Sequence, residues 1–162
     1  MFGLTPWAYL NKGLKTIILI NAAVFALAMM TKGQLVNNFL VFDSRIIFDQ
    51  PWRIVTYMFS HTDTMHFFFN MLMLWMFGGE VANIMGTRKF VIFYLATGVF
   101  AMLSSSFFYP LVLGASGAVY AVMYSYAHYY PERRILVFFV FPMKMKHAIY
   151  FFVLMDFMMF NQ

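Results

Sequence analysis

The sequence predicts an all-α integral membrane protein that forms one domain over residues 1–162. Hydrophobic residues make up 63% of the chain and charged residues only 10%, whereas soluble globular domains carry about 25% charged residues. The mean hydropathy of +0.73 agrees with that composition. Apolar runs that approach the roughly 20 residues needed to cross a bilayer core recur along the chain, and short charged gaps separate them. The lipid bilayer is therefore the expected surroundings of most side chains.

The composition also excludes several kinds of site. The chain has no cysteine, which excludes disulfides, thiol catalysis and cysteine metal sites. Its net charge of +5 invites a nucleic-acid function, but the basic residues lie in short gaps between apolar runs, where they act as topology signals. His61 and His66 lack the i, i+4 spacing of a helical zinc pair, and no third ligand accompanies them. We therefore predict no nucleic-acid partner, no cofactor and no metal.

Five transmembrane helices are expected from the apolar runs and the residues that interrupt them. Lys32 and Gly33 end the first run, Gly86 lies in the turn after the second, and Pro131 stops the fourth. The last apolar region is interrupted near Pro142, and we expect 135–142 to be a connecting segment. The predicted spans are about 16–31, 65–82, 90–108, 116–130 and 145–160.

The basic residues orient these helices. With the N-terminus inside, eight of the 11 Lys and Arg side chains fall in inner loops, as the positive-inside rule requires. The long connection 34–60 then lies outside, and its polar and apolar stretches suit short amphipathic segments in the interface. Ser116 lies near the outer face, at the start of a helix that descends inward. We expect a multi-pass protein of the bacterial inner membrane with a cytoplasmic N-terminus.

Polar side chains within two of the spans are the candidate functional residues, since such residues are costly in a bilayer. His66 and Asn70 are four residues apart and share one helix face, while His61 lies where that helix begins. The polar face suits either the stabilisation of an oxyanion or hydrogen bonding between helices. Ser116, in the run Gly-Ala-Ser-Gly at 114–117, is either a nucleophile or a helix N-cap.

These motifs together resemble those of the rhomboid family of intramembrane serine proteases. The resemblance rests on His61-x4-His66-x3-Asn70 in the second span, on Gly-Ala-Ser-Gly at 114–117 and on Trp52-Arg53 in the outer loop. It extends from about residue 15 to the end of the sequence. The fold that it implies is a rhomboid-like helical bundle with about five of the usual six transmembrane helices.

The resemblance also implies roles for these residues. Ser116 matches the family's nucleophile, and His66 and Asn70 match the side chains that stabilise the tetrahedral intermediate together with the Ser116 N–H. The implied reaction is hydrolysis of a peptide bond in or near the transmembrane helix of a single-span membrane protein.

The remaining motif residues have supporting roles in the family. His61 matches a histidine that shapes the site, and Trp52-Arg53 matches the motif that folds the outer loop into the interface. Gly114 and Gly117 would let the backbone and neighbouring helices approach closely. One departure is that the family usually has a glutamate near the position of Ala82, where this chain has Glu80 instead.

One catalytic group is missing from the match. A nucleophilic serine needs a base within hydrogen-bond reach, and the family's base is a histidine of the sixth span, which none of the four histidines here matches. We expect a C-terminally incomplete chain that is inactive by itself. The alternatives are a proteolytically inactive rhomboid-like protein that binds membrane clients, an altered dyad with His66 as the base, and, with least support, a transporter.

Overall fold

The structure is a computed structural model that describes residues 5–61, 63–137 and 141–160, with the side chains of all of these except 137 and 155–160. Its long helices are α1 (Lys12–Met30), α4 (Thr64–Met85), α5 (Thr87–Ser105), α6 (Ser116–Tyr129) and α7 (Met145–Phe160). Two short helices, α2 (Gln34–Phe39) and α3 (Arg53–Thr56), lie between α1 and α4. There are two antiparallel pairs, β1 (Phe42–Asp43) with β2 (Leu111–Val112), and β3 (Arg134–Val137) with β4 (Phe141–Lys144). Two short 3-10 helices, Trp7–Tyr9 and Tyr57–Phe59, complete the described elements.

The helices form a membrane bundle with α6 at its centre. Among the described residues α1, α4 and α5 are long and apolar enough to cross a membrane by length and composition. The α6 helix has only 14 residues, about 21 Å at 1.5 Å per residue, against a hydrocarbon core of roughly 30 Å. It packs against α4, α5 and α7, and its Val122 and Tyr126 are fully buried. The protein around it, rather than its own length, therefore holds this short helix within the bilayer.

Two helices begin earlier than the sequence predicted. The α1 helix begins at Lys12 rather than at 16, because the Asn11 side chain accepts a hydrogen bond from the Gly13 N–H at 2.9 Å and caps the helix. The α5 helix runs from Thr87 to Ser105 rather than over 90–108, because Gly86 takes a φ of 76° and the new helix starts directly after it. The segment 135–142 was expected to be a plain connection, but its described residues, 135–137 and 141–142, lie in the β3–β4 pair; 138–140 lie outside the described residues.

Side-chain bonds tie the inner ends of the helices together. The Glu80 carboxylate accepts from Arg133 Nη1 at 2.5 Å, and the same nitrogen donates to the Tyr126 hydroxyl at 2.7 Å. The Arg133 guanidinium also lies over the Tyr130 ring, 4.3 Å from its centroid. Glu80 thus links α4 to the end of α6, so a carboxylate two residues from the family's expected position makes a stabilising contact at this end of α4.

The outer connection is folded around one buried arginine. Arg53 is 3% exposed, and its guanidinium donates to the carbonyl oxygens of Asn38 and, at 2.5 Å, Val41. The neighbouring Trp52 indole N–H donates to the Phe39 carbonyl at 2.9 Å. Both side chains thus bind carbonyl groups at the end of α2 and just after it, groups that a short helix cannot satisfy by itself.

The β1–β2 pair joins this outer connection to the segment that precedes α6. Phe42 pairs with Val112 and Asp43 with Leu111. Three residues lie between the end of β2 and Ser116, so the position of the α6 N-terminus depends on the fold of the outer connection. Asp43 also accepts two bonds from the Arg45 guanidinium, and that hydrogen bonding lowers the pKa of Asp43 to about 2.

We expect Arg53→Lys to destabilise the outer connection, because a single ammonium cannot reach the carbonyl groups that the planar guanidinium binds. The loss should be about 2–4 kcal/mol in the free energy of unfolding, since buried carbonyl groups are left without donors. Denaturant unfolding in mixed micelles measures it. Arg45→Lys is the matched control, because the Arg45 side chain is largely exposed and a lysine keeps the charge that faces Asp43. Equal effects of the two changes would contradict the assignment.

Candidate active site

Ser116 is the first residue of α6, at the outer end of the central helix. The preceding turn is made by Gly114, whose φ of 99° favours glycine. The Gly114 N–H donates to the Tyr57 carbonyl at 3.0 Å, which fixes the turn against the outer connection. Ala115 holds the N-cap position, so Ser116 lies inside the first helical turn and does not cap the helix.

The surroundings of the Ser116 hydroxyl suit an anion. Ser116 is half-buried, and its hydroxyl makes no hydrogen bond in the part of the chain that the structure describes. The N–H groups of a helix's first turn have no intrahelical acceptors, and the helix dipole places partial positive charge at the same point. A negative charge that develops on an atom beside Ser116 would therefore be stabilised by the backbone alone.

The His66 imidazole lies directly against Gly114. A Cβ atom built on Gly114 would stand 2.7 Å from His66 Cε1 and 3.0 Å from His66 Nε2. Glycine is thus required here twice, by its backbone conformation and by the space that the ring occupies. The contact brings α4 to the turn that precedes Ser116. The imidazole thus lies against Gly114, which is two positions before the candidate nucleophile in the sequence.

His61 packs behind this ring and is buried. The His61 and His66 ring centroids are 5.1 Å apart in an edge-to-face arrangement, and His61 meets the Phe67 ring in the same way at 5.5 Å. Burial lowers the pKa of His61 to about 4, and the nearby His66 lowers it further, while the Phe59 backbone and Asp63 act weakly in the opposite direction. A neutral His61 ring therefore serves as packing for His66.

Asn70 lies one turn below His66 on the same face of α4 and is 7% exposed. Its amide nitrogen donates to the His66 carbonyl at 2.9 Å. An amide group carries two N–H donors, so this bond leaves one of them for another acceptor. The helix start itself is set by Asp63, whose carboxylate accepts from the His66 N–H at 2.9 Å. The cap fixes the register that puts both side chains on one face.

Small residues let α5 approach α6 closely at the same level. A Cβ atom on Gly117 would collide with the Ala101 side chain, and one on Gly98 would collide with the end of Met58. Gly98 also lies 3.7 Å from the Ala118 Cβ atom by the same construction. Gly117 thus packs on a helix that precedes it in the chain, and close helix contact of this kind is typical of membrane interfaces.

The other two histidines lie far from Ser116. His128 is exposed and follows Ser116 by three helical turns of α6, roughly 18 Å at 1.5 Å per residue. His147 is exposed in the first turn of α7, at the inner end of the bundle. Neither is placed to accept a proton from the Ser116 hydroxyl.

Ser60 is a site residue that the sequence analysis missed. It is 1% exposed, its hydroxyl has no partner within the described residues, and its carbonyl oxygen lies 3.9 Å from the Cβ position of Gly114. Serine is common in ordinary loops, so the type of residue at position 60 does not distinguish Ser60 from other loop serines. Its place directly before His61 was the one available signal.

The geometry defines a class of protein: a helical membrane bundle whose central short helix starts with a half-buried serine, with an imidazole of a neighbouring helix against the turn just before it. A family model described as a Rhomboid domain matches residues 49–162. The chain therefore belongs to the rhomboid family.

Individual relatives agree with the family model. The chain is 32% identical over 145 residues to the presenilin-associated rhomboid-like protein, mitochondrial, of Mus musculus, which covers 83% of this chain and 38% of that protein. It is 29% identical over 150 residues to rhomboid protein 1, mitochondrial, of Saccharomyces cerevisiae, covering 85% and 43%. It is 28% identical over 110 residues to the rhomboid protease GlpG of Yersinia pestis, covering 67% and 40%. The chain thus spans about two fifths of the length of the relatives it matches.

We expect Gly114→Ala to destabilise the protein by more than the backbone conformation alone explains. The new methyl group meets the His66 ring in addition to the cost of a positive φ, about 1–2 kcal/mol. Gly86→Ala is the matched control, because Gly86 also has a positive φ but its Cβ atom would meet nothing within 4 Å.

Thermal unfolding in detergent measures the difference between the two variants. His66→Ala should recover part of the loss when it is combined with Gly114→Ala, because it removes the ring that the methyl group meets. A Gly114→Ala loss equal to that of Gly86→Ala would show that the contact with His66 is absent.

We expect the stability to fall as the pH is lowered from about 6.5 to about 4. His61 titrates near 6.5 when unfolded but near 4 when folded, so the unfolded state binds the proton first and gains up to about 3 kcal/mol across that window. His61→Gln should flatten the pH dependence of the free energy of unfolding. His128→Gln, at an exposed position, should leave the slope unchanged, and a slope that survives His61→Gln would contradict the assignment.

Proposed function

We propose that this site is the active centre of a rhomboid-type intramembrane serine endopeptidase. The observation that supports the proposal most is the contact of the His66 ring with Gly114, two residues before a serine at a helix N-terminus. The likeness to a relative named as a rhomboid protease agrees with it. The substrate would be a single-span membrane protein, cleaved in or near its transmembrane helix.

The proposed chemistry is acyl transfer. The Ser116 hydroxyl oxygen attacks the carbonyl carbon of the scissile bond, and the carbonyl oxygen becomes an oxyanion. The Ser116 N–H, the His66 ring and the second N–H of Asn70 are the donors for that charge. Removal of one such donor typically lowers the turnover rate 10²–10³-fold, so His66→Ala and Asn70→Ala would each impair catalysis in an active form of the site.

The proton of the Ser116 hydroxyl needs an acceptor. In the family that acceptor is a histidine of the sixth span, and none of the four histidines of this chain matches it. His128 and His147 are too far away. His66 is the one histidine in contact with the Ser116 turn, but it is proposed as an oxyanion donor, which requires a ring N–H to face the substrate rather than a free lone pair. We propose that the base lies outside these 162 residues.

The orientation of the site follows from the charges. The inner ends of the helices carry most of the basic residues, and Ser116 lies at the opposite end of α6. We propose a bacterial inner membrane with the N-terminus in the cytoplasm and the Ser116 end toward the outer face. Two relatives are named as mitochondrial proteins, so a mitochondrial membrane is the alternative localisation.

We expect the purified 162-residue chain not to cleave a model single-span substrate in detergent or in proteoliposomes, because the proposal assigns no base for Ser116 among the residues that the structure describes. For the same reason a serine-directed fluorophosphonate should label the chain no more than it labels the Ser116→Ala variant. Ser125→Ala is the matched control, since Ser125 lies on the same helix two turns further inward.

Two results would redirect the proposal. Labelling or cleavage that disappears in both Ser116→Ala and His66→Ala would make His66 the base of an altered dyad. A client-binding protein would be favoured over a protease by two results together. Client helices would co-purify equally with the wild type and with Ser116→Ala, and no cleavage would follow when a relative's helix that carries the family's base histidine is fused to the chain.

A further inference from the structure

The β3–β4 pair, residues 134–137 and 141–144, forms a short ribbon at the end of the bundle opposite Ser116. Its base is fixed to the bundle, because the Met145 N–H donates to the Arg133 carbonyl at 2.9 Å and the Ile135 side chain is buried in the core. The α6 helix ends shortly before the ribbon, and α7 begins directly after it. Because both neighbours are helices of the membrane bundle, the ribbon lies beside one membrane surface.

The base of the ribbon has one buried face and one basic face. Ile135 and Met143 pair across the two strands and pack in the core. Side chains alternate between the faces of a strand, so the next pair, Arg134 with Lys144, lies on the opposite face. Lys144 shares the Glu132 carboxylate with a second lysine, whereas Arg134 is exposed and makes no ion pair within the described residues. This face therefore carries a surplus of positive charge.

Beyond its base the ribbon is apolar on both faces. Leu136, which pairs with Pro142, lies on the basic face and is 51% exposed. Phe141 lies on the other face by the same alternation and is 63% exposed. Large apolar side chains that stand together at a protein surface indicate contact with a membrane or with another protein. The membrane is the surface that already lies beside the ribbon.

The backbone of the ribbon limits how deep it can lie. The ribbon has only two strands in the described part of the chain, so the N–H and C=O groups on its two outer edges have no strand partner. Such groups are too costly to place in hydrocarbon, but water and lipid headgroups can satisfy them. The side chains can therefore reach the acyl chains only if the backbone stays at the level of the headgroups.

We propose that the ribbon is an interfacial membrane anchor. Leu136 and Phe141 insert among the acyl chains of the adjacent leaflet, and Arg134 binds the phosphate of an anionic phospholipid. Burial of apolar side chains and attraction between basic side chains and anionic headgroups act together at such a surface. A second copy of the chain fits less well, because its approach would bring two basic faces together.

Single-cysteine variants of the 162-residue chain test the insertion, because the chain itself has no cysteine. Phe141→Cys and Leu136→Cys are each labelled with bimane and reconstituted in vesicles of phosphatidylcholine and phosphatidylglycerol. We expect lipids with a nitroxide on the acyl chain to quench both labels, and iodide on both sides of the membrane to leave them unquenched. Lys12→Cys, at an exposed position at the same end of the bundle, is the matched control and should show the reverse.

The choice of headgroup is tested in the same vesicles with a small fraction of nitroxide-labelled phosphatidylglycerol or phosphatidylcholine. We expect the label at position 141 to be quenched more by phosphatidylglycerol. Arg134→Gln should lower that preference about fivefold, since one basic side chain near an anionic surface contributes about 1 kcal/mol. Arg88→Gln removes an exposed charge at the same end of the bundle but outside the ribbon, and should leave the preference unchanged.

Three results would overturn the proposal. Quenching of the labels at positions 136 and 141 by iodide but not by nitroxide lipids would place the ribbon in water. Labels shielded from both quenchers would place it against protein, such as a second copy of the chain. Equal effects of Arg134→Gln and Arg88→Gln on the lipid preference would show that Arg134 does not bind the headgroup.

Discussion

The structure depends on how the irregular backbone before α6 is satisfied at membrane depth. Unpaired N–H and C=O groups cannot face hydrocarbon, so a non-helical segment must be covered by protein. Here the β1–β2 pair and the bond from the Gly114 N–H to the Tyr57 carbonyl take up that backbone. The outer connection that supplies these partners is itself held by the buried Arg53 guanidinium. The position of Ser116 therefore follows from an arginine 63 positions earlier in the sequence.

The central place of α6 imposes a second constraint. A helix of 14 residues is too short to span the bilayer by itself, so its polar start can lie below the membrane surface only if other helices surround it. Gly98, Ala101 and Gly117 permit the close α5–α6 contact that excludes lipid at the level of the serine. At the other end Arg133 and Glu80 join the end of α6 to α4. Tight packing against α5 thus holds the end of α6 that carries Ser116, and an ion pair holds the other end.

Much of this arrangement could be predicted from the sequence, because the bilayer leaves few alternatives for long apolar runs. The helices were foreseeable from composition and breakers, and the shared face of His66 and Asn70 follows from a spacing of four. The β1–β2 pair was not foreseeable, because each strand has only two residues and the paired residues are about 70 positions apart in the sequence. The early starts of α1 and α5 depend on local residues at their N-termini, and the burial of Ser60 depends on tertiary packing. The spacing of apolar residues along the sequence indicates neither.

The same physics explains why the described surroundings of Ser116 suit an anion, while the proposed removal of the Ser116 proton makes a different demand. Packing holds three groups in place: the helix N-terminus, the first-turn N–H groups and the His66 ring against Gly114. Donors and dipoles that are fixed in this way can stabilise charge that develops on a substrate oxygen. Deprotonation of Ser116 is a different requirement, since it needs a lone pair aimed at one hydroxyl. A ring that donates to the oxyanion cannot offer that lone pair from the same nitrogen. In the proposed mechanism, charge stabilisation and proton removal must therefore come from different residues, and among the residues that the structure describes only candidates for the first task lie around Ser116.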